Sequence, residues 1–124
     1  MQRNKVLVVD DEPIVRSVAS AMLEDAGFET LVAADGEEAE RLFTEQADEI
    51  GAVLLDLTMP APDGRETLKR LRALRPDVPA ILTSGYADFD AAEDFPGTGQ
   101  TDFLQKPYSA NALAEKVQAA LELA

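Results

Sequence analysis

Four places along this chain carry side chains fit for chemistry: the acidic run Asp10-Asp11-Glu12, Asp56 at the end of an apolar run, the hydroxyls of Thr83 and Ser84, and the ammonium of Lys106. No histidine or cysteine accompanies them. Imidazole bases, thiol nucleophiles, disulfides, iron–sulfur clusters and cysteine or histidine zinc sites are therefore excluded. Proton or metal chemistry falls to carboxylates, lysine and hydroxyls. Taken singly, an aspartate after a strand is a helix cap or a turn former. Two apolar strands that each run into aspartate, however, set like charges close together at a cost that a bound cation relieves. Carboxylate oxygens without imidazole or thiolate suit a hard ion such as Mg2+. The chemistry suggested is metal-assisted phosphoryl transfer.

The elements that must position these residues read as alternating strands and helices. Five short apolar runs recur, Val6 to Val9, Thr30 to Ala33, Ala52 to Leu55, Ala80 to Leu82, and Phe103 with Leu104. The first and third lack polar alternation, as expected of central strands covered on both faces, so a mostly parallel α/β sheet is the economical reading. Pro13 opens a first helix in which Ile14, Val18 and Met22 recur at i, i+4, i+8, and Gly27 stops it. Asp35-Gly36-Glu37-Glu38 has the pattern of a capping box ahead of Ala39, Leu42 and Phe43. Gly64 to Leu74 supplies Leu68, Leu71 and Leu74 before Pro76, and Ser109 caps a last helix with Leu113, Val117 and Leu121 inward. Between the fourth and fifth strands, Asp88 to Phe95 is cut off by Pro96-Gly97-Thr98-Gly99, which predicts a short or irregular fourth helix. In such a sheet the C-terminal strand ends share one edge, where ligands bind at the reversal of strand order. All four chemical places fall at strand ends.

A chain of 124 residues is the size of one domain, so residues 1–124 are expected to fold as a unit. The longest apolar stretches are four or five residues, against about 20 for a membrane span, and nothing marks the N-terminus for export. A cytoplasmic location is expected. With 11 basic against 24 acidic residues, the net charge of -13 repels phosphate backbones and anionic lipid, so neither nucleic acid nor membrane is an expected partner.

Four motifs, in order and spanning the chain, carry a resemblance. They are Val8-Val9-Asp10-Asp11-Glu12, then Leu54-Leu55-Asp56-Leu57-Thr58-Met59-Pro60-Ala61-Pro62-Asp63-Gly64, then Leu82-Thr83-Ser84-Gly85-Tyr86, and finally Phe103-Leu104-Gln105-Lys106-Pro107-Tyr108. The chain closely resembles the receiver domains of bacterial two-component response regulators, the chemotaxis regulator among them. That resemblance implies a three-layer, doubly wound, flavodoxin-like sheet of five parallel strands in the order 2-1-3-4-5. It implies that Asp56 is the phosphoacceptor, taking a phosphoryl group from a histidine kinase or a histidine phosphotransfer protein. Asp10, Asp11, Asp56 and the backbone carbonyl of Thr58 would hold Mg2+, with Mn2+ as a substitute, and Lys106 would supply positive charge to the phosphoryl oxygens. Ser84 would be the switch hydroxyl, Phe103 the aromatic that turns inward behind it, and Lys106-Pro107 a cis step. The domain would be a switch, not a metabolic enzyme, with self-dimerisation open.

The last motif looks most like receivers at the C-terminus of hybrid sensor kinases; a stand-alone regulator is the other arrangement. Position 58 is Thr where many receivers carry Asn, and position 86 is Tyr, so the lifetime of the phosphorylated state is not set by the resemblance. Two rival functions are a Mg2+-dependent phosphohydrolase with an aspartyl nucleophile and a pseudo-receiver acting by contact alone. The first would want a second aspartate at position 58; the second is opposed by the intact acidic trio and Lys106. Arg65, Lys69, Arg70, Arg72 and Arg75 are read as the solvated face of the third helix rather than a docking patch.

Overall fold

Strand β1 (Lys5–Val9) forms from a β-branched run whose four valine and leucine side chains are all buried. It is an interior strand, second from one edge of a five-stranded sheet, in a computed structural model that describes residues 4–60, 62–85, 97 and 99–123. The elements that follow are α1 (Pro13–Asp25), β2 (Glu29–Ala33), α2 (Gly36–Gln46), β3 (Ile50–Asp56), α3 (Gly64–Leu74), β4 (Ala80–Ser84), β5 (Thr101–Gln105) and α4 (Ala110–Leu123). The strands are parallel and ordered β2-β1-β3-β4-β5, as expected. The expected fourth helix and Tyr86 lie outside the described residues.

Two apolar clusters sandwich the sheet. Val6 and Val8 join Ala19, Leu23, Leu113 and Val117 on the face covered by α1 and α4. Leu7 and Val9 join Phe43, Leu68 and Leu71 on the face covered by α2 and α3. Successive residues of a strand point to opposite faces, so a central strand feeding two clusters must be apolar throughout, and all seven residues of β3 are buried.

The helix ends follow their signals. Asp35 Oδ1 accepts from Glu38 N at 2.8 Å, while Glu38 Oε1 accepts from Ala34 N at 2.7 Å, a capping box shifted by one residue on the return bond. Ser109 Oγ accepts from Ala112 N at 3.0 Å at the start of α4. At the end of α1, Gly27 takes φ 97° and donates to Glu24 O, and Phe28 N donates to Leu23 O, the paired bonds of a Schellman cap.

Three sequence readings are corrected. In α1 the buried stripe is Ala19 and Leu23, whereas Ile14 is 79% and Val18 46% exposed, because the start of the expected apolar row turns outward along an open groove and only Met22 at its end packs against the core. Leu74 likewise faces out. The basic row of α3 is not a solvated face throughout, since Arg72 and Arg75 are buried. Arg72 donates to Val78 O, Gln100 O and Thr101 Oγ1, tying α3 to the entries of β4 and β5. Arg75 donates to Ala47 O and Ile50 O, with its guanidinium 5.6 Å from the centre of the Phe43 ring.

Candidate functional site

Because β1 lies between β2 and β3, strand order reverses at the β1–β3 boundary, where a doubly wound sheet opens a cleft. Val9 pairs with Leu55, so Asp10 and Asp56 leave neighbouring strands side by side. Thr83 pairs with Asp56 and Ser84 with Gln105, which brings the ends of β4 and β5 to the same edge. The backbone N–H of Lys106 donates to Ser84 O at 2.8 Å and starts the turn that carries the ammonium back over the cleft. The Lys106–Pro107 peptide is cis.

Both central aspartates are buried, Asp10 to 4% and Asp56 to 1% exposure, yet each faces a partner. Lys106 Nζ lies 3.0 Å from Asp10 Oδ2 and 3.2 Å from Asp56 Oδ2, and 3.9 Å from the exposed Glu12. Burial alone would disfavour the ammonium, but the Asp10 hydrogen bond and the charges of Asp56 and Asp10 outweigh it and hold the Lys106 pKa above its ordinary value. Asp10 Oδ1 accepts from Glu12 N at 2.9 Å.

The two oxygens of Asp56 differ. Oδ1 accepts from Thr58 N at 3.0 Å and from Thr58 Oγ1 at 2.9 Å. Oδ2 is buried, and no hydrogen bond is directed at it. That oxygen is instead held by the Lys106 ammonium at 3.2 Å, an ion pair rather than an aligned hydrogen bond. One carboxylate oxygen from each of Asp10, Asp11, Glu12 and Asp56 can be drawn from a group lying within 4.8 Å of one another. Four hard oxygen donors gathered at one strand-end cleft, with no imidazole or thiolate among them, fit a small divalent cation of the Mg2+ type.

The sequence-predicted residues Asp10, Asp11, Asp56, Thr58 and Lys106 thus meet at one edge. Ser84, buried, stands two residues beyond Leu82 and so on the same sheet face, where the half-buried Phe103 packs against the α2/α3 cluster. Two contributors were missed. Gly64 sits where a β-carbon would lie 2.5 Å from Asp56 O, so only glycine lets α3 press on the aspartate's own peptide. Arg16 reaches back from α1 to the Asp10 carbonyl at 2.8 Å. The Asp63-Gly64 pair was visible as part of a motif; nothing in the spacing of Arg16 pointed to its contact.

This arrangement is that of a family. Residues 6–118 match the response regulator receiver domain, and the chain belongs to that family. It is 38% identical to the sensor kinase CckA of Brucella abortus over 117 residues, 94% of this chain and 12% of that protein. It is 37% identical to the regulatory protein AtoC of Escherichia coli over 97% of this chain and 26% of that protein. The chain therefore spans well under half of these two relatives. Among solved structures, the receiver domain of the hybrid histidine kinase CckA superposes with a TM-score of 0.79 at 40% identity, covering 94% of this chain and 98% of that one. A Clostridium thermocellum receiver domain superposes with a TM-score of 0.85 at 31% identity, covering 96% and 94%. The chain is a receiver domain of the two-component type, for which a histidine kinase is the implied partner. Among the described residues no helix is long and apolar enough to cross a membrane.

Proposed function

We propose that Asp56 is the phosphoacceptor of this receiver, taking a phosphoryl group from the phosphohistidine of a kinase or phosphotransfer protein in a Mg2+-dependent reaction. The observation that carries this is Asp56 Oδ2, buried within the four-carboxylate group and ion-paired at 3.2 Å with the Lys106 ammonium. Oδ2 attacks phosphorus while Thr58 holds Oδ1; the P–N bond to imidazole breaks, its electron pair stays on the nitrogen, and an acyl phosphate results. Lys106 then pairs with the phosphoryl oxygens instead of the carboxylate. Asp10, Asp11, Asp56 and the Thr58 carbonyl would hold the cation, which supplies charge neutralisation to the transferring group when bound. Ser84 would bond the new phosphoryl oxygens and Phe103 would follow it inward.

The domain acts as a switch over residues 1–124, with phosphotransfer and dephosphorylation directed only at itself, in the cytoplasm. The net charge of -13 supports a protein partner over nucleic acid or membrane. The groove flanked by Ile14, Val18, Met22, Pro107 and Tyr108 opens beside Lys106, and an exposed apolar strip at the rim of a reactive site is where a histidine-bearing helix would seat. The likeness to sensor kinase CckA supports a hybrid-kinase setting. A small-molecule acyl phosphate with Mg2+ should add one phosphoryl group, mapped to Asp56 by mass spectrometry. Equal uptake by Asp56→Asn, or undiminished uptake in chelator, would overturn the assignment.

A further inference from the structure

The site gathers four carboxylates, three of them on the single turn Asp10-Asp11-Glu12. Asp10 and Asp11 sit in the turn between β1 and α1, whose first helical residues are Pro13, which has no N–H to donate, and the largely exposed Ile14. Glu12 at the helix N-cap makes no side-chain capping bond. Among the described residues five bonds fasten the turn: Asp10 N to Ala33 O at 3.2 Å, Glu12 N to Asp10 Oδ1 at 2.9 Å, Arg16 N to Glu12 O at 2.9 Å, Lys106 Nζ to Asp10 Oδ2 at 3.0 Å, and Arg16 Nη1 to Asp10 O at 2.8 Å. Only the last ties the turn to the body of α1 through a side chain, and it is a charge-assisted bond, the stronger kind.

We propose that Arg16 is a positioning residue for the acidic pair: by bonding the Asp10 carbonyl it holds the β1–α1 turn so that Asp10 and Asp11 present their carboxylates to a divalent cation before it arrives. This rests on the reading of the cluster as a Mg2+ site. Its logic is a conflict of signs. A guanidinium near an acidic cluster repels an incoming cation, so if charge were all that mattered, removing it would tighten Mg2+ binding. If the bond to Asp10 preorganises the turn, removing it makes the cation bear the ordering cost, and binding weakens. The proposal requires the ordering cost to exceed the repulsion, so the sign of the change in Mg2+ affinity on removing Arg16 decides it.

The test is isothermal titration of Mg2+ into wild type, Arg16→Met and Arg16→Lys, with folding checked by circular dichroism and acyl-phosphate labelling as a second readout. Arg16→Met should weaken Mg2+ binding by about fivefold, equivalent to about 1 kcal/mol, and slow labelling at subsaturating Mg2+ while leaving it near normal at saturation. Arg16→Lys, which still reaches a carbonyl with a donor, should recover much of the affinity. Unchanged or tighter binding by Arg16→Met would overturn the proposal while leaving the phosphoacceptor reading intact. If Arg16→Met does not fold, the equally neutral Arg16→Gln takes its place under the same criterion. Failure of wild type itself to bind Mg2+ would instead overturn the reading of the site.

Discussion

Lys106 Nζ stands 3.2 Å from Asp56 Oδ2, an oxygen to which no hydrogen bond is aimed, and the lysine reaches it across 50 residues of chain from the end of the edge strand β5. The ammonium is thus the counter-charge for two buried carboxylates at once. Removing it by Lys106→Met leaves both uncompensated and should cost about 3 kcal/mol in the metal-free protein. Saturating Mg2+ should shrink that deficit, since a bound cation replaces the lost charge. Urea melts of both proteins with and without Mg2+ measure it; a deficit that ignores the metal would mean Lys106 stabilises by packing alone.

The same contacts predict an alkaline weakness. Lys106 binds its proton more tightly folded than unfolded, so its stabilisation is complete below the unfolded pKa, about 10.4, and is lost as pH rises through the higher folded value. Burial raises the Tyr108 phenol too, ahead of a lowering by Lys106, and a raised phenol loses stability in the same direction. Melts from pH 9 to 11 should show falling stability in wild type (a range of about two units around the reference pKa values). The slope should be shallower in Lys106→Met and in Tyr108→Phe. Identical slopes in all three would refute the assignment.

Asp11 is half-exposed and belongs to a crowded acidic group, so Asp11→Asn should stabilise the metal-free fold by about 1 kcal/mol. Mg2+ should reverse the ranking, because the variant binds it less well. A difference that is the same with and without Mg2+ would leave the cluster as ordinary surface charge.

Replacing Ile14 with Glu should leave acyl-phosphate labelling of Asp56 unchanged, because the side chain is exposed and outside the carboxylate group. Transfer from a phosphorylated histidine phosphotransfer protein should fall by about tenfold or more if the apolar groove seats the donor helix, the loss of one buried anchor being worth about 1.4 kcal/mol or more. Equal transfer by both proteins would show that the donor approaches elsewhere.

Arg72 donates to Val78 O, Gln100 O and Thr101 Oγ1 at the end of the sheet opposite the cleft, so Arg72→Met should cost about 3 kcal/mol or more and leave Mg2+ affinity as it was. A mild loss in urea melts would mean that water can enter and satisfy the Val78 carbonyl.

The strands were legible because β1 and β3 are apolar without alternation, and the site was legible because charged residues interrupt those runs at Asp10 and Asp56. Helix ends were legible from Pro13, Asp35 and Ser109, whose side chains act within a few residues. Which apolar row of α1 faces inward was not, since Ile14 and Val18 follow the same periodicity as Ala19 and Leu23 and only packing chooses between them. Nor was the burial of Arg72 and Arg75, which depends on carbonyls 6 to 28 residues away that only the fold brings within reach. Gly64 closes the motif that begins at Leu54, but its reason, the closeness of α3 to the Asp56 peptide, exists only in three dimensions.

The complete burial of β3 has a bearing on insertions and deletions. A half-exposed strand that slips by one residue throws polar groups inward and is penalised at once, but β3 is hydrophobic on both sides, so a slipped alignment against β1 and β4 would keep nearly the same greasy contacts. What such a slip would spoil is the terminus: Asp56 would advance or retreat by about 3.3 Å along the strand and change faces, parting from Lys106 and losing its place beneath Gly64. A single-residue indel in Ile50–Leu55 is therefore the kind of lesion that leaves a folded, well-packed protein with no cleft to work in.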